Sequence, residues 1–452
     1  MKTTAVKTTK LGFKLWMSVI IFGLIGQIAW IVENMYFSKF VQNNIEPEAY
    51  ATTIMVAFSA IAATVATVIG GALCDKLGKR KAIICWGYIL WGVSTMAFAF
   101  IPLDFTPDAK MKLVATVIIM DCVMSFIGAT ANDAAFNTWV SDISDTTNRG
   151  KIDVVLAIMP VAAMGVVFIG LDSLTSTSEH WGDFFMILGA VPVVGGILGF
   201  FMLKDASHVK KQDTTGYWSN VFFSFRPAVI KENKMLYVCL LGSMCSGASI
   251  QVYQSYLINF VEKTLGITDY VVPLIVIVLG SAVLSVVMGN LMDKYGKEKF
   301  YYPTIAVNII GALLVYCLKF VLGEETKMMV LIMGGGVMVM GASLVMAGLF
   351  LGAFRDYIPH GKEGSFMGMR MFLFVLLPML IGPGVAQYTI NTVNMRTPDG
   401  MILYPPELFL AGAVVVAFAF IPAYFVKKND KVIRAKLLAE KAEESADLST
   451  KN

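Results

Sequence analysis

Charge is scarce in this 452-residue chain: Asp, Glu, Lys and Arg make up 15% of it, against about 25% in a typical soluble domain. That shortfall excludes a typical cytosolic enzyme and any disordered chain. Histidine is rarer still. His180, His208 and His360 lie apart in polar connections, so no catalytic or metal-binding histidine cluster is expected. The six cysteines (Cys74, Cys85, Cys122, Cys239, Cys245, Cys317) form no C-x-x-C pair. They sit in apolar runs and read as small core residues, not as a disulfide framework or a metal site. The net charge of +4 is too small for a polybasic footprint, so no nucleic-acid partner is expected. Nor is there a nucleophile–base pair, phosphate loop or metal cluster, so the chain does not read as an enzyme. What is abundant is apolar: 57% of the residues are hydrophobic and the mean hydropathy is +0.69. The chain reads as a polytopic membrane protein whose first partner is the lipid bilayer.

A spanning helix needs about 20 apolar residues. Twelve runs meet this: Leu15–Phe40, Tyr50–Cys74, Ala82–Ile101, Leu113–Val140, Ile152–Leu171, Phe184–Leu203, Met235–Val261, Val271–Met292, Phe300–Leu322, Met328–Phe354, Phe366–Ile390 and Leu408–Val426. They are continuous instead of alternating, which argues for helices and against a membrane barrel. Twelve crossings put both termini on one side. The loops on that side hold 29 of the 36 Lys and Arg residues, so both termini are expected in the cytoplasm of a cell-membrane protein. The first run is too long for a cleavable signal peptide and contains Glu33.

The longest interior polar stretch divides the chain. The expected organisation is a six-helix bundle over 1–203, a cytoplasmic linker over 204–234, a second six-helix bundle over 235–426, and a cytoplasmic tail over 427–452. In the linker, Tyr217, Trp218, Phe222, Phe223 and Phe225 accompany Arg226 and Lys231. Aromatics mixed with cations suit either a short helix in the headgroup region or an irregular connection.

The two halves repeat. Gly71-Ala-Leu-Cys-Asp75-Lys-Leu-Gly78-Lys79-Arg80-Lys81 follows run two, and Gly289-Asn-Leu-Met-Asp293-Lys-Tyr-Gly296-Lys297-Glu298-Lys299 follows run eight. Both fit G-x-L-x-D-x-x-G-K-x-K between the second and third crossings of their half. A second echo pairs Val140-Ser-Asp142 with Phe354-Arg-Asp356. Duplicated six-helix units are how many secondary transporters are built. Asp75 ends a helix, where the dipole disfavours an anion, so it requires cationic partners.

Residues 71–81 match in full the loop signature G-x-x-x-D-x-x-G-x-R-K, and on this the chain resembles the major facilitator superfamily over about residues 12–426. The resemblance implies an all-α fold of two pseudo-symmetric six-helix bundles that works by alternating access. It also implies a cytoplasmic gating network that Asp75 joins, with Arg80 and, in the second copy, Asp293 as further candidates; Arg370 either pairs with Asp75 or snorkels to the interface. Glu298 stands where the second copy would have its Arg, so that copy is expected to be weaker.

Ionisable residues at membrane depth are costly and are therefore the best functional candidates. Gln27, Trp30, Glu33 and Asn34 share one arc of run one, an aromatic face beside an acid and two amides that suits a sugar. Asp121 and Asp133 in run four are candidate cation-coupling residues together with Glu33. Run seven presents Gln251, Gln254 and Tyr253 as further solute contacts. Within the superfamily, Gln27-x-x-Trp30-x-x-Glu33-Asn34 resembles sucrose-type permeases. Asp133-Ala-Ala-Phe136 resembles the glycoside–pentoside–hexuronide:cation symporters. The function expected is cation-coupled symport of a sugar or glycoside by a monomer, driven by H⁺ or Na⁺ with no cofactor. The alternative is proton-driven efflux of apolar, drug-like compounds through a Met- and Phe-rich interior.

Overall fold

The computed structural model describes residues 12–103, 105–144, 149–205, 222–267, 269–321, 325–358, 363–430 and 432. Long runs of apolar side chains fold here as helices, because a backbone in lipid must satisfy its own hydrogen bonds within the segment. Among the described residues, eleven helices are long and apolar enough to cross a membrane. They are α1 (Phe13–Asn44), α2 (Ala49–Leu77), α3 (Arg80–Phe100), α4 (Pro107–Ile143), α6 (Ser178–Met202), α7 (Lys234–Gln254), α8 (Val271–Tyr295), α9 (Tyr301–Phe320), α10 (Glu325–Tyr357), α11 (Gly368–Val393) and α12 (Glu407–Asp430). A twelfth helix, α5 (Arg149–Gly170), stands where the fifth run predicts it; its shorter apolar stretch is Ile158–Gly170. Among the described residues the one β feature is an isolated bridge between Arg396 and Ile402.

Both glycines of the repeated loop take positive φ, in different conformations: Gly78 ends α2 in the left-handed helical region (φ +62°, ψ +18°), and Gly296 follows α8 at φ +92°, ψ +133°. Residues other than Gly rarely adopt that backbone, and Gly accepts it without a Cβ penalty.

The chain divides into two compact units, and the division crosses the expected halves. Unit 1 holds residues 1–219 together with 254–275 and 390–404; unit 2 holds 220–253, 276–389 and 405–452. The seventh run is not one straight helix. It breaks at Ser255 and Tyr256, then resumes as Leu257–Asn259 and a π-helical turn, Phe260–Thr264. The broken-off segment joins unit 1 through directed polar contacts. Asn259 Nδ2 donates to Gln42 Oε1 (2.7 Å) and the Tyr256 hydroxyl donates to the Ala49 carbonyl (3.4 Å). The 390–404 segment follows by pairing Arg396 with Glu48 (2.9 Å) and by the Tyr404 hydroxyl donating to the Pro47 carbonyl (3.3 Å).

Unit 2 is organised around a core that includes Leu236, Tyr301, Phe350, Phe366 and Val416. Of the linker aromatics, Tyr217 and Trp218 lie outside the described residues. Phe223 and Phe225 precede a six-residue helix, Pro227–Glu232, and pack edge-on against Phe366 and Phe372. They therefore tie the entry of α7 to α11.

Candidate solute and cation site

Two spanning helices of unit 1 widen into π-helical turns where their polar residues lie. α1 does so over Val32–Tyr36 and α4 over Ala129–Phe136. A π turn inserts an extra residue and re-aims the side chains around it, and such turns are frequent at functional sites. Here they carry Glu33 and Asn34 on one helix and Asn132 and Asp133 on the other.

Glu33 accepts a 2.5 Å hydrogen bond from Ser125 Oγ of α4. One turn earlier on α4 lies Asp121, 1% exposed, with Ser59 of α2 beside it and the Glu33 carboxyl within its field. Asp121 Oδ1 has no hydrogen-bond partner among the described residues. No Lys or Arg among the described residues pairs with either acid. An uncompensated carboxylate at this depth costs several kcal/mol. Glu33, Asp121, Ser125 and Ser59 thus present an oxygen-only set suited to a proton or a small hard cation.

A second polar group opens beside it. A cleft of about 120 Å³ is lined by Gln27, Asn132, Asp133 and Asn137, with Phe136 and Met159 among its apolar walls. The Tyr88 hydroxyl donates to Asn132 Oδ1 (2.8 Å), and Asn132 Nδ2 donates to Asp133 Oδ1 (3.0 Å), so the acid is held through an amide that is itself fixed. Asn132 can lie this close to α1 because Gly26 has no side chain: a Cβ there would overlap Asn132 Oδ1 and sit 2.8 Å from Asn132 Cγ.

The other sequence-nominated residues are placed as follows. Trp30 is 44% exposed. Asn34 is buried and its Nδ2 donates to the Trp30 carbonyl (2.9 Å), so its donor is taken up by its own helix. Gln251 and Gln254 are both buried, the first in unit 2 and the second in the segment that joins unit 1. Tyr253 is buried, and its ring stacks on Phe409 at 4.8 Å, in the contact between α7 and α12.

At the basic ends of the helices, Arg80 Nε pairs with Asp142 (3.1 Å). Asp205 Oδ1 accepts from the backbone N–H groups of both Arg80 and Lys81 (2.8 Å each) and so caps α3 from a distant part of the chain. The Asp75 and Asp293 side chains lie outside the described residues. In unit 2 Glu298 stands in the place of Arg80, and Lys297, one residue earlier, pairs with Asp356; both side chains of this pair are more exposed than those of Arg80 and Asp142. Buried Asp430 adds to this group, 3.9 Å from Lys297 and accepting from the hydroxyls of Tyr301 (2.9 Å) and Tyr357 (2.8 Å). Arg370 is half-buried with its guanidinium over the Phe374 ring (5.7 Å). The echo of Asp142 and Asp356 was visible in the sequence. Asp205 and Asp430 carried no repeat or spacing signal.

The profile of the Major Facilitator Superfamily matches residues 15–383. The chain belongs to that superfamily: it is a multi-pass membrane protein and a secondary transporter of a small-molecule solute, not an enzyme. It is similar to the glycine betaine/proline/ectoine/pipecolic acid transporter OusA of Dickeya dadantii (strain 3937), with 23% identity over 432 residues, 90% of this chain and 80% of that one. In fold it is similar to a D-xylose-proton symporter (TM-score 0.66, 14% identity, 89% of this chain and 97% of that one). It is likewise similar to the nucleoside transporter NupG (TM-score 0.63, 15% identity, 92% and 98%). At these identities the solved structures speak to the fold alone.

Proposed function

We propose that this transporter couples the uptake of a sugar or glycoside to the entry of H⁺, by alternating access in the cell membrane with its basic helix ends and both termini in the cytoplasm. The observation that carries the reading is the acid pair of α1 and α4: Ser125 donates to Glu33, and Asp121 lies one turn earlier on the same helix as Ser125, with no cationic partner for either acid among the described residues. Such a set alternates between a cation-loaded and an empty form, and the free-energy difference between them biases which conformation the protein prefers. The adjacent cleft supports a hydroxylated solute. Gln27, Asn132 and Asn137 offer donors and acceptors together, Asp133 accepts, and Phe136 gives an apolar wall. The resemblance to glycoside-type symporters in run four falls on this same cleft.

A second reading is favoured by one observation. OusA is named for betaine and proline, and the exposed Trp30 ring beside Glu33 could face a quaternary ammonium group. Proteoliposomes carrying the purified protein separate the two. Uptake of glycosides, and of glycine betaine and proline, is measured under an imposed pH gradient and under an imposed Na⁺ gradient. The proposal expects saturable glycoside uptake driven by the pH gradient, and a Glu33→Gln variant that loses gradient-driven accumulation. Saturable betaine uptake without glycoside uptake would establish the second reading. Uptake driven by Na⁺ alone would replace the coupling ion.

A further inference from the structure

The most thoroughly buried cation among the largest buried side chains is Lys39, 2% exposed, six residues beyond Glu33 on α1. By sequence it sits at the end of the first apolar run. In the structure its ammonium donates to Tyr270 Oη (2.8 Å) and Thr175 Oγ1 (3.2 Å) and lies 3.1 Å from Glu262 Oε2. Two of its N–H donors are thus taken by hydroxyls, and the Glu262 carboxylate supplies the opposite charge by ion pairing. The acceptors are themselves fixed. Tyr270 donates to Asp172 (2.8 and 2.9 Å), Tyr36 donates to the same carboxylate (2.8 Å), and Thr175 donates to the Asp172 carbonyl (2.8 Å).

What makes this more than a buried ion pair is where the partners come from. Lys39, Tyr36, Asp172 and Thr175 belong to the first six helices and their connections. Glu262 and Tyr270 belong to the 254–275 segment, which broke away from α7 and joined unit 1. The same segment is held nearby by Asn259 on Gln42 (2.7 Å) and by Lys263 on Asn43 (2.6 Å). Glu262 lies in a π-helical turn, and so does Glu33. At 1.5 Å per residue, the acid and the lysine are about 9 Å apart along α1. All these contacts lie at the opposite end of α2 from Arg80, since Gln42 and Ala49 flank its start and Arg80 follows its finish.

We propose that the Lys39–Glu262 pair is a lock. It seats the 254–275 segment on the first-half helices and must open each time this end of the protein admits or releases solute. Because Lys39 rides on the same helix as Glu33, the lock also lies within reach of the acid pair. The proposal holds whatever the solute is, since it depends only on alternating access.

The test uses the full chain in proteoliposomes with Thr52→Cys as a reporter. Thr52 is fully buried and accepts from Gln42 Nε2 (3.2 Å), beneath the seated segment. Alkylation by N-ethylmaleimide is followed site by site by mass spectrometry, with native Cys239, fully buried in unit 2, as the internal control. Breaking the lock by Glu262→Gln or Lys39→Met is expected to raise the labelling rate at position 52 about tenfold, corresponding to about 1.4 kcal/mol of closed state lost, while Cys239 stays unchanged. Glu262 is partly exposed, so the Glu262→Gln variant carries the test should Lys39→Met fail to fold. Two results would overturn the lock: labelling at position 52 that does not change in Glu262→Gln, or a parallel rise at Cys239, which would mean general loosening.

Discussion

Replacing Gly26 by Ala is the sharpest probe of how the cleft is built. The added methyl would overlap Asn132 Oδ1 and stand 2.8 Å from Asn132 Cγ, whereas comfortable contact begins near about 3.5 Å. Asn132 must therefore withdraw by about 1 Å, in the direction that strains both its hydrogen bond from Tyr88 and its own bond to Asp133. Overpacking of this kind costs about 1–3 kcal/mol, and a strained hydrogen bond adds about 1 kcal/mol. We expect a loss of about 2–3 kcal/mol, seen as a Tm lower by about 5 °C or more in thermal unfolding of the detergent-purified protein. Transport should suffer too, because Asp133 loses its aim: KM for the solute should rise while the amount of folded protein stays adequate. Gly165→Ala is the matched control, since a Cβ there meets nothing within 4 Å. The reasoning fails if Gly26→Ala keeps the parental Tm and KM, or if Gly165→Ala loses as much.

Asp205→Ala should cost about 1 kcal/mol in thermal unfolding, the usual loss on removing a helix cap, because it strips the acceptor from two N–H groups of α3; Asp205→Asn should retain most of it. Ser125→Ala should change the half-saturating concentration of the coupling cation by about tenfold in proteoliposome uptake, because Glu33 loses its 2.5 Å donor; an unchanged value would remove Ser125 from the site. At Glu46, burial alone would push the carboxyl up, but donors from Lys110, Tyr50 and the Glu48 backbone outweigh it and hold the group below the ordinary glutamate value. A lowered carboxyl stabilises the fold above its unfolded value, and that contribution vanishes as pH falls through the folded one. Glu46→Gln should therefore lower Tm at neutral pH, and its gap to the parent should close on acidification. A gap that persists at low pH would contradict this.

The legible parts of this protein are those written in hydropathy and repetition. The apolar runs found helices, with boundaries such as Tyr50–Cys74 moving only a few residues, to Ala49–Leu77, and Val271–Met292 to Val271–Tyr295; the seventh run alone was cut short, at Gln254. The duplicated loop announced the Gly78 and Gly296 turns because positive φ leaves few residue choices. In the site, Gln27 and Asp133 were legible as scarce polar residues in apolar helices, and they line one cleft. Lys39 was hidden. A lysine at the end of an apolar run looks like a snorkelling residue, and only partners more than 130 positions away make its burial tolerable.

The sequence by itself determined that the chain crosses a membrane many times as paired six-helix repeats with acids placed in oil, because a continuous apolar run satisfies its backbone in lipid as a helix and polar residues there are costly. Only the tertiary structure decided which acids meet, that the seventh run breaks after Gln254, and that Glu262 and Tyr270 close over Lys39. Those outcomes depend on which helix face meets which neighbour. Contacts between distant segments leave no periodic trace in the chain that makes them.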